Sequence, residues 1–183
     1  YKTNYSGNRG YDNSIVGACV NWLARTFPEA GIGVRRFDAA TQQKVVMPEH
    51  PLTALINRPN PYFSGRLLRM AIATDFIVSG NTYLIKVRSE SGQVVQLWWA
   101  PSTTLSPTNK TYSDTSFQPN SDDAFIAGYQ YSVGAQDVTL PVEDVVHLRY
   151  GIDPDNTQLG RSPLASAYRE LFTDDEGANF TAS

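Results

Sequence analysis

The sequence is poor in the side chains that carry most enzyme chemistry. It has one cysteine, Cys19, and two histidines, His50 and His147. A lone cysteine excludes an intrachain disulfide and any cysteine-built metal site. The histidines stand far apart in the chain, without the close spacing that zinc or iron sites use. There is no GxGxxG, no Walker lysine loop, no HExxH and no GxSxG. No catalytic residue, no cofactor and no metal are therefore expected. No apolar run approaches the roughly eighteen residues of a membrane helix, so no membrane partner is expected either. Charge is sparse too, at 18% of residues, and the formal net value is -3. A duplex-gripping protein carries a basic excess to neutralise phosphates. Its absence argues against tight DNA binding by this segment, while leaving room for a surface that DNA passes without sticking.

What the chain does have is a core. Hydrophobic residues make up 41% of its 183 positions, enough for one ordinary domain. Residues 1–12 are polar and read as a loose arm. Asp12 or Asn13 then caps a helix to about Phe27, with Ile15, Cys19, Trp22 and Leu23 or Thr26 as its apolar stripe. Cys19 reads as a buried thiol. Ile32, Val34 and Phe37 suggest a strand, paired with KVVM as a hairpin. Pro51 opens a short helix, which Pro59 and Pro61 close. Ser64 caps a longer one to Ser79, and Gly80-Asn81 stops it. Asp75 is the odd residue on that helix and reads as facing solvent or another subunit.

From Asn81 the period changes to two. NTYLIKVR and QVVQLWWAP form an antiparallel hairpin, with Tyr83, Ile85 and Val87 as its apolar side. Residues 102–124 read as a long loop around a short strand. FIAGYQYSV, VTLP and VVHLRY read as further strands, with His147 half-exposed on the last. Asp153 and Asp155 read as turn formers, since the loop lacks the glycine and terminal glutamate of a calcium site. Ser162 and Pro163 mark the start of a final helix. The expected class is α+β with mostly antiparallel strands. Aromatics in probable loops (Tyr1, Tyr5, Tyr11, Tyr62, Phe63, Tyr112) favour an assembly surface over a solitary monomer.

Four stretches in this order resemble one family. They are NSIVGACVNWLARTFPEAGIGV (13–34), HPLTALINRPNPYFSG (50–65), SGNTYLIKVRSESGQVVQLWWAP (79–101) and LPVEDVVHLRYGIDPDNTQLGRSPLASAYRE (140–170). Together they resemble the portal proteins of tailed bacteriophages, in the branch related to the phage HK97 portal. The resemblance implies a homo-oligomeric ring, normally of twelve subunits, at one vertex of the capsid. Double-stranded DNA passes through its channel without sequence-specific binding. The implied partners are the major capsid protein, the terminase large subunit and the head–tail connector proteins. The implied location is the virion, and the host cytoplasm during assembly.

The family brings no catalytic residues. The positions it implies are structural: Pro59, Asn60 and Pro61 in one turn, Gly80 and Asn81 at a helix stop, and His147, Gly151, Asp153, Pro154, Gly160, Ser162 and Pro163 around the last strand and loop. Residues 13–183 would form a wing-like domain, and the chain reads as an N-terminal piece that stops before the stem and clip. Two other readings stay open on the residues alone: a non-catalytic binding module of another complex, and a hydrolase with an unrecognised site.

Overall fold

The computed structural model describes residues 14–109, 125–134 and 136–165. The expected arm at 1–12 and most of the final helix lie outside these residues. Three helices and eight strands are described: α1 (Ser14–Thr26), β1 (Arg35–Asp38), β2 (Gln43–Val46), α2 (Pro51–Asn57), α3 (Gly65–Ser79), β3 (Asn81–Arg88), β4 (Val94–Ala100), β5 (Leu105–Thr108), β6 (Gly128–Val133), β7 (Gln136–Leu140) and β8 (Val145–Arg149). All strand pairs are antiparallel. The class is α+β, as the sequence indicates.

The helices start and stop where side-chain chemistry satisfies their free backbone groups. His50 caps α2, its Nδ1 accepting from Leu52 N at 3.2 Å, and Pro51 follows where no N–H is needed. Ser64 Oγ accepts from Leu67 N at the start of α3, a contact worth about 1 kcal/mol. Gly80 ends α3 with φ of 77°, the left-handed geometry that glycine adopts without a Cβ penalty.

β1 and β2 pair as a hairpin of their own, and the other six strands build two three-stranded sheets, ordered β4-β3-β8 and β5-β6-β7. They face each other across a core of Tyr83, Ala100, Leu105, Tyr129 and Val145. Tyr83 is only 1% exposed at its centre. The other face of β4-β3-β8 lies against α3, and this buries Leu84. Leu84 shares its strand parity with Lys86 and Arg88. That face is covered at its α3 end and reaches solvent only toward Arg88, which pairs with Asp144 at 2.7 Å.

α1 packs on α3 through Val16 and Val20, against Val78. This corrects the expected stripe. The buried line is Val16, Val20 and Ala24, while Trp22 is 66% exposed and Cys19 is an exposed free thiol. Two apolar stripes run along α1, both at i, i+4 spacing. Val16, Val20 and Ala24 are compact enough for close approach to α3, and the bulkier line turns outward.

Candidate functional site

Three polar junctions hold the layers together, and they gather most of the residues singled out from the sequence. The first lies where α3 meets β3. Asn81, 6% exposed, sends its side chain across to Gly160. Its Nδ2 donates to Gly160 O at 2.9 Å, and its Oδ1 accepts from Gly160 N at 2.7 Å. This pair of hydrogen bonds mimics a strand pairing with a side chain. Around it, Tyr150 N donates to Gly80 O at 2.8 Å and Arg161 N to Tyr150 O at 2.9 Å. Ser162 Oγ donates to Ile77 O at 3.1 Å and accepts from Leu164 N at 3.1 Å, fixing the first turn after the loop. The backbones meet so closely that a Cβ on Gly80 would collide with the Arg161 carbonyl, and one on Gly160 with Gly80 O.

The second junction continues the first into the sheet core. His147 Nε2 lies 3.0 Å from Asn81 Oδ1, and its ring stacks on Tyr83 at 4.2 Å between centroids. The edge of Tyr129, from the opposite sheet, approaches the same imidazole, its hydroxyl 3.5 Å from Nδ1. Because Gly160 N already donates to Asn81 Oδ1, that atom is an acceptor. His147 is therefore the Nε2–H tautomer. Burial, with Arg149 adding to it, lowers the His147 pKa to about 4, so the ring is neutral at pH 7. Burial also raises both tyrosines above the usual phenol range. A neutral imidazole between two neutral phenols is a packing element.

The third junction ties the proline turn to the open edge of β4. Leu97 N donates to Pro59 O at 2.8 Å, and Asn60 Nδ2 donates to Leu97 O at 2.8 Å. Asn60 Oδ1 accepts from Tyr62 N and Phe63 N. One asparagine thus holds its own turn and extends the sheet edge. Pro61 itself is exposed. Tyr62 lies over Trp98 with centroids 5.8 Å apart.

Asp75 corrects its expectation. It is half-buried and turned toward the chain after β4. Its carboxylate accepts from Ser102 Oγ at 2.6 Å and Ser102 N at 3.0 Å, anchoring the chain after β4 to α3. Burial raises its pKa, and the Ser102 bonds oppose the rise. The Thr82 hydroxyl and the Trp99 indole N–H, both buried, lie beside the carboxylate and also oppose the rise. Nothing in the sequence distinguished this carboxylate beyond its place on an apolar helix.

The remaining predicted residues form the loop after β8. Gly151 has φ of 60°, and Asp153 Oδ1 accepts from Asp155 N at 3.0 Å in an Asx turn. Pro154 is exposed on it, and Pro163 follows Ser162 in the next turn. His50 and His147 are not brought together: one caps α2, the other sits in the sheet core. Among the described residues no group of histidine, cysteine and carboxylate side chains is arranged to hold a metal. None of the described helices is long and apolar enough to cross a membrane.

No curated protein matches the chain. Among solved structures, it is similar to a chain in the neck of an empty gene transfer agent particle solved with C6 symmetry. The TM-score is 0.72 and identity 22%, over 96% of this chain and 46% of that one. A chain in the native particle's neck, solved with C12 symmetry, matches with TM-score 0.70 and 20% identity, over 95% and 42%. A chain of the native virion gives 0.71 and 20% over the same shares. The chain thus spans less than half the length of the structures it matches. At this identity the likeness shows a shared fold. The family model described as phage portal protein matches residues 14–183, nearly the whole sequence. On that match, the chain belongs to the phage portal protein family.

Proposed function

We propose that this chain is the wing-like part of a portal subunit, residues 13–183, in a ring at one capsid vertex. The observation that carries the reading is the family match over residues 14–183. The similar neck chains come from particles solved with C12 and C6 symmetry, which supports a ring of twelve. DNA would pass through the channel during packaging and ejection. Major capsid protein, terminase large subunit and head–tail connector would be the docking partners, in the virion and, during assembly, in the host cytoplasm. The net charge of -3 suits a conduit that must not hold phosphates tightly.

The role is structural and not catalytic. The polar groups that could do chemistry are spent on architecture: His50 on a helix cap, His147 on a stacked core, and Asp75 on a loop anchor. Negative-stain electron microscopy of the full gene product tests the reading. Closed rings with a central hole are expected. Monomers at every concentration and salt would overturn it and return weight to a binding module.

A further inference from the structure

The β1–β2 hairpin lacks cover. Among the described residues, all of its strand positions except Asp38 are exposed. The register places Arg35, Phe37, Lys44 and Val46 on one face, and Arg36 and Val45 on the other. Phe37 and Val46 are 56% and 57% exposed. An isolated two-stranded ribbon is at best marginally stable in water, and uncovered apolar side chains weaken it further. At its foot lies an open, mainly apolar groove of about 420 Å³, between Arg36, Val45 and the start of α2 at Pro51. Glu49 shares that rim.

A complementary feature lies in the loop after β8. After β8, the left-handed Gly151 turns the chain so that Ile152 stands 67% exposed. Asp153 and Asp155 follow it. Arg149 is engaged with the Thr157 and Gln158 carbonyls, leaving these carboxylates as the charge at the loop tip. On the hairpin, the single acid, Asp38, bonds back to Ala40 N and Thr41 Oγ1 of its own turn, and Arg35, Arg36 and Lys44 are exposed. One patch is basic and apolar with a groove. The other is acidic with a protruding isoleucine.

Their placement suits a ring. α2, next to the groove, packs on α3 and β4, while the Ile152 loop follows β8. β4 and β8 are the opposite edges of one sheet. A head-to-tail contact that closes a ring needs two different, complementary patches on different sides of each copy.

We propose that the β1–β2 hairpin of one copy receives the Ile152–Asp155 loop of the next, with Ile152 in the groove and the carboxylates against Arg36 at its rim. This rests on the ring reading above. The test uses the full gene product carrying Cys19→Ser, with Val45→Cys and Ile152→Cys together or singly, and a short bis-maleimide. The double variant is expected to give a covalent ladder beyond dimer on a denaturing gel. The single variants are expected to give none. Arg36→Glu should lose rings, and Asp153→Lys with Asp155→Lys in the same chain should restore them. Rings by microscopy without a ladder from the double variant would overturn this contact while leaving the ring intact. Absence of rings from the unaltered protein would overturn the ring reading and this contact with it.

Discussion

Replacing Asn81 by alanine should be among the most damaging single changes that add no bulk. The side chain makes two short buried bonds to Gly160, and part-buried ones to His147 and to Ser79 O. Alanine leaves the Gly160 N–H and C=O facing an apolar void, with no space opened to bulk water. A buried polar group stripped of its partner costs about 1–3 kcal/mol, so two such groups bring the loss to roughly 2–5 kcal/mol. For a unit of this size that is a fall in Tm of roughly 5–15 °C. Thermal unfolding followed by circular dichroism reads it directly. Asn156→Ala is the control. It removes one exposed Asx bond to Gln158 N and should cost under about 1 kcal/mol. If Asn81→Ala melts within about 2 °C of the unaltered protein, the Asn81–Gly160 bonds do not hold the loop, and the junction argument fails.

Gly80→Ala and Gly92→Ala separate strain from collision. Both glycines have positive φ, which costs an alanine about 1–2 kcal/mol. Gly92 has open space around it, so that is its whole penalty. Gly80 adds a collision with the Arg161 backbone, and its variant should fail to accumulate as folded protein in a solubility and unfolding assay. His147 makes stability depend on pH. Its folded pKa of about 4 lies below the 6.5 of an unfolded chain, so the unfolded state takes up the proton first. The contribution is complete above about pH 6.5, falls as pH drops toward 4, and is gone below that. Discounting for the solvent that reaches the ring, the loss is about 1–2 kcal/mol. Urea unfolding at pH 7 and pH 4.5 should show this drop in the unaltered protein and a smaller one in His147→Gln. Equal drops would refute the assignment.

Much of the fold was legible because its signals are local. Ser64 and Gly80 bracket α3 by capping chemistry that spans a few residues, and the strands from Asn81 onward show period-two patterns. The misreadings share a different cause. Choosing between the two stripes of α1 required knowing which face α3 approaches, and the wrong choice also buried Cys19. That Leu84, on the same side of β3 as Lys86 and Arg88, is buried depends on α3 folding back over β3, which the alternation alone does not show. Asp75 finds Ser102 only once β4 has run its length. Asn81 and Gly160 were singled out through family resemblance. Their mutual bond joins residues 79 positions apart, and no local pattern encodes it.

That separation has a mechanical consequence. Asn81 begins the first strand of the sandwich and Gly160 closes the loop after its last one, so both sheets form a bight whose two ends are knotted at one point. Tension applied between α3 and the chain beyond Ser162 runs through the Gly80, Asn81 and Gly160 backbones and bypasses the sheets. The Asn81 knot therefore takes the load first: while it holds, no strand is loaded and the sandwich keeps its shape as its neighbours are pulled.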